Sequence, residues 1–247
     1  MAEYIEGKRP VIEALRCGVP CERVLMADNL QRDGMVSDIL RKAKAAGVPV
    51  ETVSRAQLDK RSERGSHQGV IAQAAPFPYQ SLQGVIDRAE EQFASTERAL
   101  IVVLDHITDA GNLGAIARSA EVVGAAGIVI PNKRSAHVTA VTYKSSAGAI
   151  AHIPVAQVAN LKAALERCKE AGFWVAGASE KATETVWQSN LKGKMAIVMG
   201  NEGEGLARLT QETCDFLMAL PQVGKVASLN VAQSATACMY EWMRQNY

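Results

Sequence analysis

Short uninterrupted apolar runs alternate with helix-forming segments through the second half of the chain, and this pattern constrains the fold more than any other feature. The runs cover residues 99–104, 127–130, 173–178, 195–199 and 216–220. A strand with one solvated face alternates apolar and polar residues, whereas a strand covered on both faces reads as a continuous apolar run. The pattern therefore predicts an α/β domain built on a mostly parallel sheet with helices on both faces.

The first part of the chain carries the same kinds of element in smaller number. Two helices and two strands are predicted there, at residues 9–16, 35–46, 23–27 and 69–73. Residues 74–83 contain Pro76 and Pro78 among Ser and Gln, a composition typical of a linker. We therefore expect a small α/β domain at 1–73, a linker at 74–83 and a larger domain at 84–247.

Charge is unevenly distributed along a chain that is almost neutral overall. The 247 residues carry a net charge of +1, so bulk charge does not predict nonspecific binding to nucleic acid. The segment between residues 122 and 165 nevertheless has no acidic side chain, and it contains Lys133, Arg134, His137, Lys144 and His152. This distribution indicates either a local basic patch or a solvated face whose asymmetry is accidental.

The composition and the apolar runs of the sequence disfavour several classes of protein. The longest uncharged runs are shorter and more polar than the about 20 apolar residues that a membrane helix needs, and the N-terminus lacks the apolar core of a secretion signal. Five scattered cysteines suit a reducing compartment, and no second pair of ligands completes a metal site beside Cys17 and Cys21. We therefore expect a cytoplasmic protein with no membrane span and no metal.

Three loops that follow predicted strands are rich in Gly, Asn or Ser, and open α/β sheets bind ligands at such strand ends. The first loop, residues 105–112, leads into a helix, with Asn112 at the expected N-cap and Arg118 about one and a half turns into the helix. Helix N-termini attract anions, and a guanidinium grips phosphate well. The alternative interpretation is an ordinary cap and a surface arginine.

The second loop, residues 199–206, has three glycines in six residues, which let a ligand approach the backbone closely. It matches neither G-x-G-x-x-G nor a P-loop, so a nicotinamide-dependent dehydrogenase and the common nucleotide-binding proteins are disfavoured. Glu202 and Glu204 would repel a polyphosphate and tolerate a cationic ligand. A turn with exposed acids has the same composition and stays open as an alternative.

The third loop, residues 220–230, precedes the last predicted helix at 229–245. Ser228 and Asn230 both lie at the start of that helix, and one of them is expected to cap it. The helix carries apolar residues around more of its surface than one core-facing stripe requires, so we expect part of it to pack against another subunit. Together the three loops predict a ligand site without identifying its chemistry.

Three ordered motifs resemble those of the SpoU (TrmH-like) RNA ribose 2′-O-methyltransferases of the SPOUT superfamily. They are Asn112-Leu-Gly-Ala-Ile-x-Arg118, Gly200-x-Glu-Gly-x-Gly205, and Pro221-x-x-Gly-x-x-x-Ser-Leu-Asn-Val231. All three in order at plausible spacing are much more specific than any one of them. Residues 4–15 and 66–70 also look like the L30e-like RNA-binding domain that precedes many members, although that likeness is less specific.

The resemblance implies a parallel α/β domain whose C-terminal portion forms a trefoil knot, an S-adenosylmethionine cofactor, an RNA substrate and a homodimer. The residues implied to hold the cofactor are Ala178, Met199, Gly200, Gly205, Leu220, Ser228 and Leu229. Those that match the family's functional positions are Asn112, Arg118, Glu202, Ser228 and Asn230. The basic residues expected to contact RNA are Arg118, Lys133, Arg134 and Lys144.

The resemblance also suggests roles for these side chains. We expect Arg118 to contact the target's phosphate and 2′-oxygen, because an arginine keeps its proton above about pH 12 and is a demanding choice of general base. Asparagines 112 and 230, with Ser228, would orient ribose and cofactor, and Glu202 would organise the knot loop or the ribose. The family usually has Pro where Ala110 stands, which frees the backbone of the first loop.

The substrate is the least constrained part of this interpretation. The leading domain makes the chain look more like members that act on 23S rRNA, at a guanosine, than like those that act on tRNA. Adenosine-specific resistance methyltransferases share the layout, and a noncatalytic RNA-binding assembly factor is the alternative from another class. Base choice depends on loop shape and RNA structure, so no short sequence code names the nucleotide.

Overall fold

The computed structural model describes residues 3–62, 65–225 and 228–247, which form two β-sheets flanked by helices. The first sheet has four strands, β1 Glu3–Glu6, β2 Cys21–Ala27, β3 Val50–Val53 and β4 Val70–Ala74. Their order is β1-β4-β2-β3, in which β4 is antiparallel to both neighbours and β3 is parallel to β2. The associated helices are α1 Lys8–Arg16, α2 Gly34–Ala45 and α3 Arg55–Asp59.

Local sequence explains the helices of this region. Helix α1 buries Val11, Ala14 and Leu15, which recur at helical spacing on one face. Helix α2 begins after Asp33, whose carboxylate accepts a 2.8 Å hydrogen bond from the backbone N–H of Val36. The two predicted helices and two predicted strands are confirmed within a few residues, whereas β1, β3 and α3 were not predicted because β1 and β3 are interrupted by glutamates and α3 is a single short turn.

The second sheet contains six parallel strands, as the apolar runs predict. They are β5 Ala99–Leu104, β6 Gly127–Pro131, β7 Val155–Val158, β8 Trp174–Ala178, β9 Lys194–Met199 and β10 Phe216–Met218. The order is β10-β8-β9-β5-β6-β7. The covering helices are α4 Leu82–Thr96, α5 Ala110–Val122, α6 Ala140–Ser145, α7 Leu161–Glu170, α8 Arg208–Thr213 and α9 Val231–Asn246, with a short 3-10 helix at Ala149–Ala151.

Both faces of this sheet are buried, which confirms the interpretation of the continuous apolar runs. Along β5, Leu100, Val102 and Leu104 point into one apolar cluster, and the intervening Ile101 and Val103 point into another. All six residues of the strand are buried. Because successive side chains of a strand face opposite sides, only a strand covered twice can be apolar throughout.

The segment between the two sheets packs against the second one rather than hanging free. The hydroxyl of Tyr79 accepts a 2.8 Å hydrogen bond from the backbone N–H of Val138. The backbone N–H of Gln80 donates to the carbonyl of Val155 at 2.9 Å. The ring centroid of Phe77 lies 5.0 Å from that of Tyr79. These contacts attach the segment at residues 77–80 to the larger region.

The C-terminal helix α9 is largely covered by its own chain. Its Met239 and Trp242 are buried, and the hydroxyl of Thr236 lies 2.7 Å from that of Ser119 on α5. Tyr240, 48% exposed, is the large apolar side chain that α9 leaves in solvent within its described helical span. No described helix is long and apolar enough to cross a membrane.

Candidate active site

The carboxyl ends of four neighbouring strands lie side by side and place the three loops together. Met199 at the end of β9 is in register with Leu104 at the end of β5 and with Ala178 at the end of β8, and Met218 of β10 pairs with Ala178. The loops that leave these strands therefore start from one row, which is where open parallel sheets collect their ligands.

A cavity of about 430 Å³ opens at this row of strand ends. All seven residues that the sequence analysis assigned to the cofactor lie in its lining: Ala178, Met199, Gly200, Gly205, Leu220, Ser228 and Leu229. Sequence reasoning missed other members of the lining, among them Ser179, Lys181, Gln222 and Ser234. The volume is within the range of about 300–1,000 Å³ that is usual for small-molecule sites.

The charged side chains of this cavity suit a cationic ligand. Three carboxylates, Glu180, Glu202 and Glu204, and one ammonium group, Lys181, line it, so its formal charge is three negative minus one positive, or −2. Opposite charges stabilise a bound sulfonium, and apolar groups such as Met199 provide a surface for an aromatic ring. The lining thus fits S-adenosylmethionine. Within the described ranges, no cluster of three His, Cys, Asp or Glu side chains could hold a metal.

At the mouth of the cavity, one side chain from each of the three loops meets the other two. The amide Nδ2 of Asn112 donates to Oε1 of Glu202 in a short hydrogen bond. The amide Nδ2 of Asn230 donates to Oδ1 of Asn112 at 2.9 Å and, more weakly, to Oε1 of Glu202 at 3.4 Å. These three residues are 28 to 118 positions apart in sequence, so only the fold brings them together. We call them the Asn112–Glu202–Asn230 cluster.

Helix capping holds two members of the cluster and corrects one prediction. Asn230 is the N-cap of α9, and its Oδ1 accepts from the backbone N–H of Ala232 at 2.9 Å. Asn112 was predicted as the N-cap of α5, and this is wrong, because Asp109 takes that place and accepts from the N–H of Asn112 at 2.7 Å. With its backbone already capped, the Asn112 side chain is free to reach Glu202. Ala110, where the family usually has Pro, is the first helical residue, a position where Pro also fits.

A buried carboxylate that sequence reasoning did not single out anchors the second loop. Asp105, 1% exposed, accepts the backbone N–H of Ala207 at 2.7 Å and contacts the ring of His106. The carbonyl of His106 accepts from the side-chain amide of Asn201 at 2.9 Å. The end of β5 thus holds both ends of the loop that carries Glu202.

Two motif glycines have structural explanations. Gly200 lies so close to the backbone of Gly205 that a side chain there would overlap it, and Gly205 has a φ of +71°, which favours glycine. The N–H and C=O groups of Asn201 and Gly205 pair reciprocally, which closes this turn. On α5, a Cβ at Gly114 would come within 2.6 Å of the carbonyl of Thr142, so glycine allows α6 to pack there.

Arg118 is not brought to the cluster. It lies about two and a half turns into α5 rather than one and a half, because the helix begins at Ala110. It is exposed, does not line the cavity, and makes no hydrogen bond or ion pair within the described part of the chain. It lies six positions after Asn112, which places the two side chains about 120° apart around the helix.

The basic residues predicted to contact RNA also lie outside the cavity lining. Lys133 and Arg134 are exposed on the segment between β6 and α6, and Arg134 adopts a φ of +53°. Lys144 is exposed in the last turn of α6. Their contact with RNA stays a prediction.

Comparison with known proteins agrees with this architecture. Residues 99–240 match the SpoU rRNA Methylase family, and residues 4–80 match the RNA 2′-O ribose methyltransferase substrate binding family. A fold with a parallel sheet, a cavity at its strand ends and both of these matches defines an RNA methyltransferase. The chain belongs to the SpoU rRNA Methylase family, and its enzyme class is that of S-adenosylmethionine-dependent RNA 2′-O-methyltransferases.

Relatives cover almost the whole chain. A Bacillus subtilis protein named as a putative TrmH family tRNA/rRNA methyltransferase, YacO, is 42% identical over 98% of this chain and 96% of its own length. The 23S rRNA (guanosine-2′-O-)-methyltransferase RlmB of Vibrio cholerae is 38% identical over 87% of this chain and 85% of its own. The SpoU methyltransferase AviRb of Streptomyces viridochromogenes, solved with AdoMet, is 26% identical with a TM-score of 0.70, covering 99% of this chain and 90% of AviRb.

Proposed function

We propose that the protein transfers the methyl group of S-adenosylmethionine to the ribose 2′-hydroxyl of a guanosine in 23S rRNA. The observation that carries the proposal is the Asn112–Glu202–Asn230 cluster, which joins three loops at the mouth of an acidic cavity. The identity with a 23S rRNA guanosine methyltransferase supports the choice of substrate. The proposal includes a cytoplasmic location and a trefoil knot formed by the C-terminal portion.

The cofactor, when bound, supplies an electrophilic methyl group on a positively charged sulfur. Around it, the carboxylates of Glu180, Glu202 and Glu204 stabilise the positive charge. The loops of Gly200 and Leu220 would hold the cofactor through backbone groups and apolar side chains. S-adenosylhomocysteine, the product, is a neutral thioether and loses this attraction, which favours its release.

The Asn112–Glu202–Asn230 cluster orients the ribose. A ribose hydroxyl is a weak nucleophile near neutral pH, so the catalytic gain comes chiefly from alignment of its oxygen with the methyl group. The free Oε2 of Glu202 accepts a hydrogen bond from a ribose hydroxyl, while the two asparagine amides fix the carboxylate in place. Ser228 lies in the cavity lining and completes the contact between cofactor and ribose.

Arg118 enters this mechanism through a homodimer. Its side chain is exposed and unpaired among the described residues, and it does not line the cavity of its own chain. We propose that it reaches the cavity of a second copy and there holds the phosphate and 2′-oxygen of the target nucleotide. Exposed Tyr240 on α9 is part of the surface that the second copy covers.

Subunit complementation tests this arrangement. Homodimers of Arg118→Ala and of Glu202→Ala are expected to be inactive, and a mixture refolded together should regain about a quarter of wild-type activity, because half of the dimers then have one complete site. No recovery in the mixture, with dimers present by light scattering, would contradict action across the dimer. Retention of full turnover by Arg118→Lys would exclude any chemistry specific to guanidinium.

The substrate proposal is tested by mapping. Cells with and without the gene should differ at one 2′-O-methylguanosine of 23S rRNA, measured by mass spectrometry of nuclease fragments. Purified protein with radiolabelled S-adenosylmethionine should methylate that rRNA and leave tRNA unlabelled. Methylation of tRNA, of an adenosine, or of a base instead of a ribose would show that the proposed substrate is wrong. If the protein bound the cofactor but transferred no methyl group, a noncatalytic RNA-binding protein would be favoured.

A further inference from the structure

A second cavity, of about 450 Å³, lies where the smaller region meets the larger one. Tyr4 of β1 and Arg9 of α1 line it from one side, and Val141 and Lys144 of α6 line it from the other. It is separate from the cavity at the strand ends, because no residue lines both. Its walls come from residues 4–14 and Ser66 on one side and residues 140–144 on the other, so it exists only when the two regions are docked.

The cations of this cavity are available, whereas its carboxylates are engaged. Arg9 and Lys144 are exposed and form no hydrogen bond or ion pair with any described residue. Glu13, by contrast, accepts a 2.9 Å hydrogen bond from Arg16, and Glu6 accepts one from the hydroxyl of Ser62. The hydrogen bond from Arg16 is the main reason that the pKa of Glu13 is lowered, and Lys144 contributes further. The cavity is therefore lined from its two sides by cations whose side chains form no hydrogen bond or ion pair with a described residue, although Lys144 is close enough to Glu13 to influence its pKa.

The remaining surface of the cavity is largely apolar. Val141 is 56% exposed although it is apolar, and buried Ile5 and Ala14 form an apolar floor. Tyr4, the next residue along β1 from Ile5, packs its side chain on the cluster of Leu25, Leu58 and Ile71 instead. An exposed apolar side chain beside cations gives the base of an unstacked nucleotide a surface while the cations bind its phosphate.

We propose that this cavity binds one unpaired nucleotide of the RNA substrate, with its phosphate between Arg9 and Lys144 and its base against Val141. The proposal rests on the proposed function, because it concerns the same RNA. A duplex base is stacked and paired and has no access to such a cavity. The site thus selects RNA with an unstacked nucleotide at a fixed distance from the methylated one, and it uses both regions of the chain to do so.

The experiment uses the full chain and fluorescence anisotropy of a short labelled single-stranded RNA and of its duplex. Arg9→Ala/Lys144→Ala should raise the Kd for the single strand about tenfold and lower the salt slope of log Kd by about 0.7, the value for one lost phosphate contact. Val141→Trp, which fills the cavity without changing charge, should also weaken the single strand. The matched controls Lys162→Ala and Val50→Trp alter residues outside the lining and should bind as wild type.

The outcomes of these binding measurements either support or overturn the proposed nucleotide site. The nucleotide site would be overturned if both cavity variants bound the single strand with the wild-type Kd, or if they raised the Kd for single strand and duplex equally. It would also be overturned if Lys162→Ala raised the Kd for the single strand as much as the cavity variants do. Methyl transfer to 23S rRNA, measured separately at saturating RNA, should keep its kcat in the variants and show a raised KM. If wild type transfers no methyl group at all, the proposed function fails while the anisotropy still reports on the cavity.

Discussion

The two cavities differ in electrostatic character within a chain whose net charge is only +1. The strand-end cavity has a formal charge of −2 and is built from loops locked together by hydrogen bonds. The cavity between the regions has a formal charge of 0, because Arg9 and Lys144 are balanced by Glu6 and Glu13, but only its carboxylates accept side-chain hydrogen bonds from described residues. The acidic cavity therefore suits a sulfonium cofactor, whereas the neutral one leaves two cations available for a phosphate.

The largest expected effect on activity is in the acidic cavity, at Glu202. Glu202→Ala removes the acceptor that joins Asn112 and Asn230, and misplacement of the ribose by about 1 Å costs about a hundredfold in turnover. We expect kcat to fall by that factor, with smaller change in the RNA KM. Glu202→Gln keeps one carbonyl acceptor and should recover part of the loss. Glu212→Gln, on α8 outside the cavity lining, is the control.

The next largest effect is expected at Asp105, which anchors the second loop but does not line the cavity. Asp105→Ala leaves the backbone N–H of Ala207 without its acceptor, which costs about 1–3 kcal/mol of folding free energy. The second loop then loosens, and the Kd for S-adenosylmethionine by calorimetry should rise about tenfold while RNA affinity is unchanged. Asp28→Ala, at an exposed carboxylate, is the control. Unaltered cofactor affinity would show that Asp105 does not position the loop.

A smaller effect tests the charge of the acidic cavity directly. Glu180→Gln/Glu204→Gln changes its formal charge from −2 to 0 with little change of shape. The Kd for S-adenosylmethionine should rise about threefold at low salt, because both carboxylates are solvent-exposed and screened. S-adenosylhomocysteine, which lacks the sulfonium, should bind as before. Equal weakening of both ligands would mean that the carboxylates act through contacts rather than charge.

The smallest expected effect concerns the thiols of the two regions. Burial raises the pKa of Cys168 to about 11 and of Cys214 and Cys238 to about 12, from an ordinary value of 9.0. Their thiolates, the reactive form, therefore appear only at higher pH than in the unfolded chain. At mildly alkaline pH, iodoacetamide should label partly exposed Cys17 and Cys21 first, with little loss of cofactor binding. Early labelling of buried Cys238, read by mass spectrometry, would contradict this prediction.

The sequence predicted the larger sheet better than the smaller one for a physical reason. The strands of the larger sheet are buried on both faces, so each reads as an apolar run, and five of its six strands were found. Strand β7, with Gln157 among its four residues, and the short β1 and β3 give no such run. Short strands are formed by tertiary pairing more than by local sequence.

The same limit applies to the candidate site. Glycine, asparagine and serine in strand-end loops were recognisable, and the seven predicted cofactor residues share one cavity. The anchor at Asp105 was not recognisable, because an acid after a strand is common in any loop. The cap of α5 was assigned to Asn112 instead of Asp109, since both residue types favour that position. The position of Arg118 relative to the cavity depends on helix phase and on a second copy.

A double-mutant cycle on kcat at Asn112 and Asn230 tests the central claim most directly. If the Asn112–Glu202–Asn230 cluster orients the ribose as one unit, Asn112→Ala and Asn230→Ala should each lower kcat substantially, and the double variant should be hardly slower than the slower single variant. Losses that multiply in the double variant would mean that the two asparagines act independently, which would contradict the account.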